Sequence, residues 1–293
     1  MSSESGRYTK YIGQEAEVVL TANEENAWHT IGSKAFLSCK TVERLVLPPT
    51  ISAVEDWAFA HMKNLREIVM PAREIGFGRQ VFLGCEGLQR VVFYPVNDSN
   101  DCAEICALGG ISQMDHLWAS MFRFFPQKSL EHPEYVTTAE GCRKWLKLYD
   151  EALINWLQKP DDDGFVPAFI GWFDVEDVDD QKQGYIFQKG KDKLALSFQR
   201  LLCSELSTKQ LEIYLKNVIV RYTDLCMEIF MENPTYGRDI RYYKVWQQTG
   251  GLTSPIVEEL LSKLPWEEPE IRVYLLKLLQ QNCKEDFFTG LEL

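Results

Sequence analysis

A 23-residue period runs without insertion or deletion from Ile31 to Pro95, and it constrains the fold more than any other feature of the chain. Aromatic residues fall in step at Phe36, Phe59 and Phe82. Cys39, Met62 and Cys85 share the next slot, and Val42, Leu65 and Leu88 the one after. Leu45, Ile68 and Val91, then Leu47, Met70 and Phe93, complete the unit. A fixed period of this length marks a solenoid, in which each unit buries its apolar face only against its neighbours.

Within a unit the stretch Arg44-Leu45-Val46-Leu47 alternates and is stopped by Pro48. Its equivalents are Glu67 to Met70, stopped by Pro71, and Arg90 to Phe93, with Pro95 shortly after. Side chains of a strand alternate faces, so inward Leu45 and Leu47 predict outward Arg44 and Val46. Each unit then adds one short strand to a parallel sheet. The pairs Ala35-Phe36, Ala58-Phe59 and Val81-Phe82 line the opposite wall. Upstream, Glu17 to Leu20 reads as a first, irregular strand, with Asn23 to His29 as an expanded loop. Downstream, Val96 to Ser112 loses the register and reads as a divergent fourth unit or a cap.

The pattern I-G-x-x-A-F-x-x-C-x-x-L-x-x-I-x-I-P over residues 31–95 resembles the BspA-type leucine-rich repeat. The resemblance implies a curved parallel β-solenoid serving protein–protein recognition, often at bacterial surfaces, so an adhesin-like role is one expectation. Other features point away from a surface. The N-terminal MSSESGRYTKYIG has no apolar core of a signal peptide. The uncharged run Gly164 to Phe173 is too short to span a bilayer. Leu47-Pro48-Pro49-Thr50 has the look of a sortase signal, but Ile51 replaces the required glycine. The expected location is cytoplasmic, with extracellular as the alternative the resemblance implies.

Formal net charge is −12, which disfavours nucleic acid and anionic membrane surfaces as partners. Eight cysteines are too sparse for a disulfide scaffold. Because Met62 shares a slot with Cys39 and Cys85, reduced, buried thiols are expected there.

From about Thr137 the apolar period changes to that of helices. Thr137 with Glu140 reads as a capping box ahead of a face made by Trp145, Leu148, Ala152 and Trp156. Ser207 with Gln210 reads as another, ahead of Leu211, Tyr214, Leu215 and Val218. Ser254-Pro255 starts a helix through Ile256 and Leu260, and Ile271, Leu275, Leu278 and Leu279 mark a last one. The stretch KLALSFQRLLCSELSTKQLEIYL, residues 193–215, resembles the ankyrin-like all-helical tails that follow such repeats, without their T-P-L-H signature. The fold class is therefore an α+β, multidomain chain: a short parallel β-solenoid followed by an all-α domain. The expected division is 1–112 for the solenoid with its caps, 113–136 for a linker or capping segment, and 137–293 for the helical domain with an acidic loop at 161–180.

Chemical motifs are weak. Gly184 to Asp192 fails as a phosphate loop, with five residues between its glycines and Asp192 where Ser or Thr is needed. Cys102, Cys106 and His116 lack the spacing of a zinc knuckle. Asp161, Asp162, Asp163, Asp174, Glu176, Asp177, Asp179 and Asp180 form an acidic cluster without EF-hand spacing. It reads as a solvated, flexible loop, or as a docking element together with Phe165, Phe169, Trp172 and Phe173. No catalytic residue, cofactor or metal site is expected. The candidate partner-binding residues are the outward column Val46, Val69 and Val92 and the flanking Arg44, Glu67 and Arg90. The expected function is a non-enzymatic module for protein partners; an adhesin, or an enzyme with a site in the helical half, are the alternatives.

Overall fold

A computed structural model describes residues 6–21, 27–96, 114–124, 132, 134–167, 178–203, 206–265 and 268–289. The chain forms two compact units, Met1–Trp156 and Leu157–Leu293.

In the first unit the 23-residue period becomes a lateral spacing. Strands β1 (Arg7–Tyr8), β3 (Thr30–Ile31), β5 (Ala53–Val54) and β7 (Gly76–Phe77) make one parallel sheet. Strands β2 (Glu17–Val19), β4 (Arg44–Val46), β6 (Glu67–Pro71) and β8 (Arg90–Tyr94) make a second. Arg44 lies opposite Glu67, and Glu67 opposite Arg90. Glu17, the first irregular strand of the sequence reading, lies opposite Arg44 at a longer chain separation, while Arg7 keeps the 23-residue step to Thr30. The extra residues therefore belong to the connection from β2 to β3, where the expanded loop was expected; residues 22–26 of it lie outside the described residues.

A third wall has no strands, yet it is hydrogen-bonded from turn to turn. The amides of Lys34, Phe36 and Ser38 donate to the carbonyls of Asp56, Ala58 and Ala60, and those of Trp57, Phe59 and His61 to Arg79, Val81 and Leu83. The intervening amides of Ala35, Leu37 and Cys39 bond back within their own turn. This alternation needs a left-handed backbone twice per turn. It is found at Lys34, Trp57 and Gln80, and again at Ser38, His61 and Gly84. A non-glycine residue held there costs about 1–2 kcal/mol. Burying one phenylalanine contributes about 1.5–3 kcal/mol, and each inter-turn hydrogen bond about 1 kcal/mol. Packing and hydrogen bonds together outweigh the strain.

The repeat residues fill the interior. Phe36, Phe59 and Phe82 are buried and stack as a column, with ring centroids 5.7 and 5.4 Å apart. Tyr8 and Tyr11 stack on Phe36 at one end. At the other, Phe122 of helix α1 (Met114–Phe124) stacks on Phe82 at 4.7 Å. Trp118 of α1 meets Phe93 and stacks at 4.0 Å on Trp145 of α3 (Ala139–Gln158), which follows the single turn α2 (Glu134–Thr137). Ser120 and Tyr149 share a buried hydrogen bond of 2.8 Å.

Two local expectations shift by one residue. Thr138, not Thr137, caps α3, accepting from the amide of Gly141 at 3.0 Å. The buried face of α3 is Cys142, Trp145, Leu146, Tyr149 and Leu153, so Leu148 faces solvent. Cys39 is only half-buried, against the expectation for its slot. Cys85 is buried, donates to the Phe59 carbonyl at 3.1 Å, and has its thiol pushed up to about 12 by burial.

The second unit is helical: α4 (Val178–Leu202), α5 (Lys209–Arg221), α6 (Thr223–Glu232), α7 (Pro234–Gly237), α8 (Ile240–Gln248), α9 (Ser254–Lys263) and α10 (Pro269–Thr289). Helix α4 packs on α5, α6 and α8, and α10 on α8 and α9. Phe198, Phe230, Tyr243, Trp246, Leu260 and Leu275 form the centre of its core. Thr208, not Ser207, caps α5 through the amide of Leu211. Helix α9 starts at Ser254 as expected, with Pro255 as its second residue.

Candidate functional site

Strand alternation in β2, β4, β6 and β8 puts one charged residue per strand on the outer face, and the parallel register brings these residues side by side. Arg44 donates from Nε to Glu67 Oε1 at 2.7 Å and from its other end to Glu17 Oε1. Arg90 donates to Glu67 Oε2 at 2.9 Å and to Asp115 Oδ2, in the first turn of α1, at 2.6 Å. The result is one chain of ion pairs, Glu17–Arg44–Glu67–Arg90–Asp115, with signs alternating at every step. Its partners raise the pKa of the Arg44 guanidinium, the hydrogen bond to Glu67 first. Glu67 uses one carboxylate oxygen for each arginine. Three of the candidate residues, Arg44, Glu67 and Arg90, are thus brought together and neutralise each other.

The valine column lies beside this chain and includes a fourth member, Val19, opposite Val46. Its exposure is graded. Val19 is 53% exposed, Val46 is half-buried, Val69 is 3% exposed and Val92 8%. The outward column expected at Val69 and Val92 is not open there: both are buried in an outer cluster with Tyr94, and Val46 packs against it. Tyr94 stands opposite Pro71, and its hydroxyl crosses to donate to the Leu47 carbonyl at 2.7 Å. The residue that closes the column is thus a tyrosine in the slot that Pro48 and Pro71 fill in earlier units. The late Pro95 was its sequence signal.

Residues 20–106 match the family model described as "BspA type Leucine rich repeat region", in six copies. This stretch is a BspA-type leucine-rich-repeat region. A crystal structure of a leucine-rich-repeat protein of T. pallidum also matches, at 23% identity and a TM-score of 0.26. That match covers 30% of this chain and 42% of the other, so the chain spans less than half the length of that protein. No curated protein matches the chain.

Outside the leucine-rich-repeat region, the other sequence candidates resolve into structure. Gly184 to Asp192 lies wholly inside α4, where no loop exists to cradle a phosphate. Gly190 serves packing, since a Cβ there would come 2.8 Å from Leu225 of α6. Cys102 and Cys106, the segment 97–113, and Phe169 to Asp177 lie outside the described residues. Among the described residues no group of three or more His, Cys, Asp or Glu could hold a metal ion. Nor is any helix among them long and apolar enough to cross a membrane.

The start of the acidic cluster is not a free loop. Asp161 accepts from the buried Lys193 Nζ at 2.7 Å and from the Tyr222 hydroxyl at 2.8 Å. Asp162 pairs with Lys182 at 3.0 Å, and Asp163 with Lys159 at 3.4 Å. Tyr185 and Lys189 both donate to the Asp163 carbonyl. Four of these groups, Lys182, Tyr185, Lys189 and Lys193, project from α4, so the counterions missing from the local sequence arrive from the next helix. A shallow pocket in the second unit is lined by Gly237, Leu261, Leu264, Glu268, Ile271 and Arg272. This set contains no nucleophile paired with a base.

Proposed function

We propose that the chain is a non-catalytic protein-interaction module. It recognises its partner through the outer strand face of the solenoid, at the turns where that face is still open, and the helical unit supplies a second surface. The observation that carries this reading is the graded valine column. Its C-terminal half is closed by Tyr94, while Val19 and Val46 remain accessible between the charges of Glu17, Arg44 and Glu67. The repeat family supports the general role, since leucine-rich repeats commonly serve recognition. A cytoplasmic location belongs to the same proposal, and cell fractionation checks it.

The test separates recognition from folding. Val46→Lys places a cation on an accessible position; it should abolish capture of the partner by the full chain and leave the melting temperature within about 2 °C. Val69→Lys buries a charge under Tyr94, so it should destabilise the solenoid by about 2–4 kcal/mol. Capture unchanged by Val46→Lys would refute the strand-face reading.

A further inference from the structure

The two ends of the solenoid differ. At the C-terminal end helix α1 packs on β8, and Asp115 completes the charge chain. At the N-terminal end, among the described residues, β2 pairs with β4 alone. The amide of Arg44 bonds to the carbonyl of Ala16, and the amide of Leu20 to the carbonyl of Val46. Main-chain groups alternate sides along a strand, so those of Glu17 and Val19 point away from β4. They occupy the positions at which Arg44 and Val46 bond to the preceding strand.

The charge chain is also unfinished here. Glu67 sits between two arginines and its side chain is 18% exposed; among the described residues Glu17 pairs with Arg44 alone and is 58% exposed. Every interior member of the chain has an opposite charge on both sides. By the same rule the open side of Glu17 is the place for a cation, and among the described residues none stands there.

We propose that the open edge of β2 accepts an extended segment of a partner protein as an added parallel strand, with arginine or lysine opposite Glu17. This rests on the protein-interaction reading above and names the chemistry of the partner. The residue opposite Val18 faces the interior and is apolar, and the one opposite Val19 is β-branched. The recognised pattern is basic–apolar–β-branched, the pattern that Arg44-Leu45-Val46 and Arg90-Val91-Val92 present to Glu67 from either side. Main-chain bonds supply affinity in strand addition and alternate side chains supply selectivity. A short, acidic edge is also how sheets discourage pairing. Glu17 does this against acidic strands, including the β2 edge of a second copy, where carboxylates would meet, but it favours a basic one.

The experiment titrates the full ¹⁵N-labelled chain with the peptide TVERLVLPP, residues 41–49 of the chain itself, and with the same peptide carrying Arg44→Glu. The first should bind and shift the amides of Glu17 and Val19; the second should bind at least about tenfold more weakly. Val19→Pro removes an outward amide while the bonds through Ala16 and Leu20 remain, so that chain should fold and lose the peptide. Glu17→Gln should bring the two peptides to within about threefold of each other, which keeps the test valid if Val19→Pro fails to fold. Absence of binding at millimolar peptide, equal binding of both peptides, or full binding by a folded Val19→Pro chain would overturn the proposal. Failure of the peptide beside partner capture that is still sensitive to Val46→Lys would remove the edge and spare the strand face.

Discussion

Gln80 and Gly84 lie four residues apart in one turn and share a left-handed backbone, with φ of 54° and 68°. Only one of them carries the side chain suited to it. Gln80→Gly relieves the steric cost of about 1–2 kcal/mol but adds about 0.5–1 kcal/mol of chain entropy, so a net gain near 0.5 kcal/mol is expected in urea unfolding. Gly84→Ala should lose more than that gain, because its Cβ would also come 2.5 Å from His61 Nδ1. Equal signs for the two variants would refute this account of the turn wall. The left-handed columns escaped the sequence because glycine is their usual signal, and Lys34, Trp57, Gln80, Ser38 and His61 conceal them. The inward columns were legible, since burial demands apolar residues at every unit. Alternation gave the facing of Val69, but its burial depended on Tyr94, a tyrosine in a slot where the earlier units carry proline.

The acidic turn at Asp161 to Asp163 shows how an element can mislead when read alone. Its sequence holds no cation, yet α4 delivers Lys182 and Lys193 to it, because a helix presents residues one turn or more apart on one face. Tyr222 adds a consequence for pH. Burial first, and then the hydrogen bond to Asp161, push its phenol up to about 12 from an ordinary 10. The folded state therefore holds the proton more tightly than the unfolded one. The stability this gives is complete below pH 10 and is lost as pH rises toward 12. Urea midpoints of the helical unit should fall over that window, and Tyr222→Phe should flatten the decline; an unchanged slope would refute it. The helix starts were nearly legible. In Thr137-Thr138 and Ser207-Thr208 both residues can cap, and the second does so because its hydroxyl meets the amide three residues on, at Gly141 and Leu211.

For the molecule as a whole, the first compact unit extends past the repeat to Trp156, and its aromatic column continues through Phe122 and Trp118 to Trp145. A fragment of residues 1–156 should melt cooperatively near the temperature of the solenoid in the full chain. A fragment of residues 1–136 exposes Trp118 and should be at least about 3 kcal/mol less stable; equal stability of the two would place the boundary before α3. The charge chain on the outer face also restricts how such a solenoid can change length. Excising the turn that carries Glu67 would set Arg44 against Arg90, and duplicating it would set two carboxylates side by side. Removing or adding turns two at a time preserves the alternation. The array obeys a parity rule: lengths that differ by an even number of turns keep every charge beside its opposite.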